Sequence, residues 1–292
     1  MLKFEHTVIE WINDHMIYFA LGFVLIVAVW IRAAGCDYVG NDYHFSLYDI
    51  PENCQSFLYR SLVGFLMERS EFVVILLKCF SYAGDFAVAM FAMLFWRQRH
   101  SRLNATAAFF LLTACLLSPV ILIYSMGGMK VDSLCMTLLL AGILCFRKKW
   151  FLPAAFAVAL AAFLSPAYWP VVIILSCLAA IKQKKEGTLS LPMAAALLCL
   201  LCLLVLSVFL ENRGMDNGYF WGKLFVFNPL TREVYAGPGQ WLTGMVKLYG
   251  YLFATGSLLL AFEHRKMRLP ALALQLAVLL YVGWQQTYAL AI

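Results

Sequence analysis

Asp42 stands between Asn41 and Tyr43-His44 in a stretch, RAAGCDYVGNDYHFSLYDIPENC (32–54), that packs three Asp, one Glu, one His and three Tyr into 23 residues. It is the first sizeable polar interruption in a mostly apolar sequence. Further on, Lys130 and Asp132 lie in a glycine-bearing turn, YSMGGMKVD (124–132), that opens a helix. A longer polar segment, 211–240, is rich in aromatics and amides (NGYFWGKLFVFNPLTREVY) and carries Arg213, Lys223 and Arg232. A carboxylate near bases and aromatic side chains suits a reaction between a phosphate-bearing lipid and a hydroxyl. The carboxylate removes the hydroxyl proton and the bases hold the leaving phosphate.

Each of these residues also has a plainer reading. Asp37 and Asp49 read as solvated or structural loop charges: Asp37 is placed to pair with Arg32, and Asp49, before Ile50-Pro51, suits a turn. Asp132 precedes Ser133-Leu134 and an apolar run, so helix capping is an alternative to chemistry. Lys78 and Asp85 share one face of an apolar span, seven residues apart. Intramembrane charges are functional candidates, but Lys78 is also placed to snorkel outward and Asp85 to pair with a polar group on another span.

The elements that must position these groups are membrane spans. Hydrophobic residues make up 63% of the chain and charged residues 13%, against roughly a quarter charged in a soluble domain. Apolar runs of about 20 residues recur, which is what a bilayer core of ~30 Å requires. The expectation is a single all-α, polytopic transmembrane domain over 1–292. Nine spans are expected, at about 16–34, 72–96, 105–124, 131–146, 150–164, 168–181, 192–210, 241–262 and 270–290. Residues 1–14 read as an interfacial helix leading into the first span, and 35–71 as an outer loop with an amphipathic helix on the membrane surface. Pro153, Pro192 and Pro270 fall near span starts, where a missing backbone N–H costs little.

Charge sets the sidedness. Short alternate loops hold Arg97, Arg99 and Arg102; Arg147, Lys148 and Lys149; Lys182, Lys184 and Lys185; and Arg265, Lys266 and Arg268. The carboxylates gather in the other loops, so by the positive-inside rule the N-terminus is cytoplasmic and 35–71, 124–132, 164–168 and 211–240 face out. The net charge of +6 is thus a topology signal and no mark of nucleic-acid binding. The segment before Cys36 is acidic rather than basic and is interrupted by Arg32, so neither a lipobox nor a cleaved signal is expected. The nine cysteines have no repeated metal spacing. Cys199 and Cys202 sit inside an apolar run, where small buried thiols are expected. Cys36 and Cys54, both in the outer loop, could close a disulfide around Asp42 or remain two free thiols.

An order of motifs is also familiar: Arg32 at the end of the first span, then Asp42-Tyr43, an interfacial helix, a span with Lys78 and Asp85, then Ser125-x-Gly127-Gly128-x-x-x-Asp132-Ser133. This resembles the GT-C superfamily of polytopic glycosyltransferases, mannosyltransferase-like members above all, over residues ~16–182. The resemblance implies a GT-C-like fold and a polyprenyl-phosphate-linked sugar donor. It makes the acidic residue of the first outer loop, Asp42, the catalytic base. Of the family's Trp-Gly-Gln-x-Asp-Ser motif, only Asp132 and Ser133 are matched by Gly128-Met129-Lys130-Val131-Asp132-Ser133, and Ser165-Pro166 stands where a lysine is often found.

The leading expectation is therefore an inverting membrane glycosyltransferase of a bacterial plasma membrane, acting on the outer face. Asp42 and Asp132 would be catalytic, and Tyr43, His44, Lys130, Arg213, Lys223 and Arg232 would bind substrate. The acceptor would be a glycan, lipid or protein. No cofactor is fixed by these residues; a divalent cation, Mg or Mn, is the candidate. A lipid or small-solute transporter and an inactive scaffold descended from such an enzyme are the alternatives. A transporter would need polar groups along a midplane pathway, and few are present.

Overall fold

A computed structural model describes residues 2–36, 58, 61, 64–66, 73–100, 105–127, 131–165, 168–185, 191–212 and 238–289. Among them all regular structure is helical, with no strand. In chain order the helices are α1 (Leu2–Ala34), α2 (Val73–His100), α3 (Ala105–Leu116), α4 (Pro119–Gly127), α5 (Asp132–Arg147), α6 (Phe151–Leu164), α7 (Trp169–Lys185), α8 (Leu191–Asn212), α9 (Pro238–Glu263) and α10 (Arg268–Ala289).

The proline positions explain several of the boundaries. Pro119 and Pro238 are the first residues of α4 and α9, while Pro153, Pro170, Pro192 and Pro270 lie in the first turns of α6, α7, α8 and α10. There the absent N–H would have had no intrahelical acceptor. Pro119 also disfavours the helical conformation at Ser118, and α3 and α4 meet at a 46° bend. The expected span 105–124 is thus a broken one. The expected separate helix over 1–14 is instead the start of one continuous helix running from Leu2 to Ala34.

Among the described residues, three helical stretches are long and apolar enough to cross a membrane: His15–Ala34, Ile75–Gln98 and Leu191–Leu210. The bent α3–α4 pair makes a fourth if it is taken as one span. Nine were expected. The remaining apolar stretches, Phe151–Leu164, Trp169–Ile181, Tyr249–Phe262 and Arg268–Leu280, are shorter. Fourteen residues of helix rise only about 21 Å, less than the ~30 Å hydrocarbon core. The outer surface nonetheless suits lipid: Phe19, Phe23 and Trp30 on α1, Leu198, Leu201 and Phe209 on α8, and Leu272 and Leu280 on α10 are all exposed. Apolar exposure on this scale marks a membrane-embedded surface.

Side-chain pairings fix the directions of the helices. Cys135 meets Ala161, and Gly142 meets Val158, so α5 and α6 form an antiparallel hairpin. Its turn places Lys149 at a φ of 62°, a left-handed conformation for a non-glycine residue. The contact is close because α6 buries Ala154, Ala155, Ala159, Ala161 and Ala162, small residues that let helix backbones approach in the absence of a hydrophobic drive. In contrast, α2 and α5 run parallel: Ser81 meets Ser133, Gly84 meets Thr137, and Phe95 meets Arg147. Asp85 with Tyr251 and Trp96 with Phe262 set α9 parallel to both.

These directions sort the loops. One end of the bundle gathers the ends of α1, α4 and α6 and the starts of α2, α5, α7 and α9. The other gathers Gln98, Arg147–Trp150 and the turn after Phe262. Two core clusters join the ends. One fills the space among α2, α4–α9 and α10, and the other packs Val24 and Ala28 of α1 against Ala89 and Ala92 of α2 and Leu111 to Leu116 of α3.

Candidate functional site

The buried polar groups lie toward the first of these ends. Arg32, in the last turn of α1, is 2% exposed and Asp85 of α2 is 1% exposed. The Arg32 Nε and Nη2 both donate to Asp85 Oδ2, at 3.2 and 2.8 Å. Nη1 donates to the carbonyls of Ala28 at 3.3 Å and Leu116 at 3.0 Å. Leu116 ends α3 at the bend before Pro119, so the guanidinium satisfies a carbonyl that the broken helix leaves exposed. The Tyr251 hydroxyl of α9 donates to Asp85 Oδ1 at 2.7 Å. The rings of Tyr82 and Phe86 flank the guanidinium, 5.9 and 5.5 Å from its carbon. Four helices thus converge on one fully engaged ion pair.

Arg32 pairs with Asp85; its expected pairing with Asp37 falls on a residue outside those described. The reading of Asp85 as pairing across spans is the one the geometry matches. One expectation is corrected here: Lys78 does not snorkel to water. It is fully buried, and its ammonium donates to the carbonyls of Gly35 at 2.7 Å and Cys36 at 2.8 Å. These carbonyls belong to the turn that closes α1, where unpaired C=O groups and the negative end of the helix dipole favour a cation. Lys78 therefore fixes the point at which the polar stretch leaves the bundle.

One turn along α2, the Ser81 carbonyl accepts from Ser133 Oγ at 2.7 Å. Thr137 Oγ1 donates to the Gly84 carbonyl at 3.1 Å. A Cβ at Gly84 would lie 2.8 Å from the Leu134 nitrogen, so only glycine permits this approach of α2 to α5. Asp132, 3% exposed, is the first residue of α5. It is not the cap: Val131 holds that position, with no side-chain cap bond. In the first turn the carboxylate still lies at the positive end of the helix dipole. Tyr168, 1% exposed at the start of α7, donates its hydroxyl to the Asp132 carbonyl at 3.0 Å. The start of α7 is thereby brought beside Asp132. Tyr124 lies against Gly250 and meets Tyr251 edge-on, with ring centroids 6.5 Å apart.

Of the residues expected to carry chemistry, Asp132 is the described one. Asp42, Tyr43, His44, Lys130, Arg213, Lys223 and Arg232 lie outside the described residues, as do Asp37 and Asp49. Cys36 is a free thiol, and Cys54, its expected bridge partner, lies outside the described residues. Cys202 faces outward and Cys199 is half-buried, in place of the expected buried pair. Among the described residues no group of three or more His, Cys, Asp or Glu converges. A magnesium-like cation wants about six oxygens, and Asp132 contributes a single carboxylate. The described residues do not assemble such a site, and no step below runs through a metal.

Sequence reasoning missed Tyr251, Tyr168 and Ser81. Tyr251 had a signal, a tyrosine well inside an apolar run, since a buried phenol needs a partner. Ser81 contributes only its carbonyl, which no side-chain pattern reveals. No protein-family model, curated protein or solved structure matches the chain.

Proposed function

We propose that the protein is a membrane glycosyltransferase that takes its sugar from a polyprenyl-phosphate donor at the end of the bundle where the polar groups gather. The observation that carries the proposal is the bridge made by α2. Lys78 ties down the start of the first polar stretch at Gly35 and Cys36, and one turn on Ser81 holds Ser133, the neighbour of Asp132. The segment leading to Asp42 and the turn bearing Lys130 and Asp132 therefore spring from one patch of the bundle. Asp42 is six residues from Cys36, a reach of about 20 Å at most.

In the reaction, an acceptor hydroxyl attacks the anomeric carbon from the face opposite the phosphate. The new C–O bond forms as the bond to the phosphate oxygen breaks, and the configuration inverts. Asp42 takes the hydroxyl proton, while the electron pair leaves with polyprenyl phosphate. Arg213, Arg232, Lys223 and Lys130 stabilise the departing phosphate charge. The transition state is oxocarbenium-like, as in glycoside chemistry generally, so fixed negative charge from Asp132 near the sugar lowers its energy. Tyr43 and His44 contact the sugar or acceptor. The active face is the outer face of a bacterial plasma membrane, with a polytopic GT-C-like domain behind it; the gathering of bases at the opposite end supports that sidedness.

A carrier would use polar groups near the midplane as a binding site. Arg32 and Asp85 are engaged with each other, with Tyr251 and with backbone carbonyls, which favours a structural role for them and a transferase over a carrier. Purification with native lipids followed by mass spectrometry tests the proposal. A co-purifying polyprenyl-phosphate sugar is expected. Its absence, together with no transfer from any polyprenyl-phosphate sugar in reconstituted vesicles, overturns it.

A further inference from the structure

At the other end of the bundle a cavity of about 440 Å³ lies among α2, α5, α7 and α9. Its wall on α5 is formed by Met136, Leu140, Ile143 and Arg147, spaced so that they share one helix face. Eleven residues of helix make the cavity about 16 Å long. It is elongated along the bundle and apolar until its last residue. That last residue is Arg147, whose exposed guanidinium stacks on Phe95 at 4.8 Å and reaches Gln98 Oε1 at 3.5 Å. No carboxylate is among its described lining residues, and no described ion pair engages Arg147. Lys148 follows, its ammonium 5.2 Å from the ring of the exposed Trp150. Bases beside a tryptophan mark the headgroup level of a membrane.

We infer that this cavity binds one anionic phospholipid, with the phosphate at Arg147 and Lys148 and one acyl chain running along α5 toward Met136. Shape and charge both choose this occupant. A chain-length apolar slot takes a hydrocarbon tail, and a cationic mouth at interface depth takes a phosphate, which Arg binds with several donors at once. The reverse orientation would put a phosphate beside Met136, where the cavity offers no donor. The site is therefore separate from the donor site proposed above and does not depend on it. Gly256 of α9 lines the cavity, and a Cβ built there meets nothing within 4 Å. A larger side chain at 256 would project into the slot without displacing the helices.

The test is native mass spectrometry of the full chain in mild detergent, titrated with phosphatidylglycerol and, separately, with phosphatidylcholine of the same chains. The wild type should retain one phosphatidylglycerol, preferred over the zwitterionic lipid, whose choline cancels the phosphate charge, by about fivefold for each base beside the headgroup. Arg147→Gln, an exposed position unlike any core change, should bring the two lipids near parity. Gly256→Leu should abolish retention of both, and Gly256→Ala should leave it intact. Equal retention of the two lipids by the wild type overturns the inference. So does a preference that survives Arg147→Gln, including the case in which Gly256→Leu alone removes binding, which would mean a chain inserted the other way round. Undiminished retention by Gly256→Leu overturns it as well.

Discussion

Asp85 of α2 is held from two other helices at once, with Arg32 donating twice to one carboxylate oxygen and Tyr251 donating to the other at 2.7 Å. Such a pair is costly to bury but far costlier to break, because removing one partner strands the other. Arg32→Met or Asp85→Leu alone should destabilise the protein by about 3–5 kcal/mol, read as loss of folded protein in thermal melts in detergent. The double variant should lose much less than the sum, since neither charge is then left alone. Additive losses would mean the two residues do not act as a pair.

Lys78 should matter more to activity than to stability. Lys78→Met removes the donor shared by the Gly35 and Cys36 carbonyls and releases the segment that leads to Asp42. A small misplacement of a catalytic group costs about a hundredfold. Turnover should fall on that order while the melting temperature moves by a few degrees, and hydrogen exchange should quicken just beyond Cys36. Unchanged turnover would separate Lys78 from the site.

Gly84 and Gly22 should respond oppositely to the same change. At Gly84 a methyl meets Ser133 and the backbone of Leu134, whereas at Gly22 it meets nothing within 4 Å. Gly84→Ala should cost about 1–3 kcal/mol by overpacking the α2–α5 contact. Gly22→Ala should be neutral or stabilising by up to about 1 kcal/mol, through helix propensity. Parallel melts of the two variants decide it.

The sidedness is checked by cysteine labelling. In a background without the native cysteines, a cysteine at the exposed Lys148 should resist a membrane-impermeant maleimide in intact cells, while one at Asp216 should react. Labelling at 148 without permeabilisation would reverse the orientation.

The helices were legible because apolar runs and prolines mark them: Pro153, Pro192 and Pro270, read as lying near span starts, each stand within the first three residues of a helix. The bend at Ser118 was not, since apolarity continues across it and only the residue-before-proline restriction marks the break. Nine apolar runs were read as spans, whereas three described helices, or four with the bent pair, reach bilayer length, and Phe151–Leu164 is among the shorter ones. The charged pair was half legible. Lys78 and Asp85 stood out as charges in oil, but their partners lie 43 and 53 residues away. Spacing along one helix cannot indicate which neighbouring helix supplies a carbonyl or a guanidinium. Tyr168 and Ser81 act on and through backbone carbonyls, which no residue pattern records.

The proposed chemistry is tested most directly by sugar transfer from a radiolabelled polyprenyl-phosphate donor in proteoliposomes, comparing the wild type with Asp42→Asn, Asp37→Asn and Asp49→Asn. General-base catalysis contributes about 10²–10⁴-fold. Asp42→Asn should lose turnover on that scale while still binding donor, whereas the other two should remain within a few-fold of wild type. Near-normal turnover by Asp42→Asn, beside an active wild type, would contradict the account.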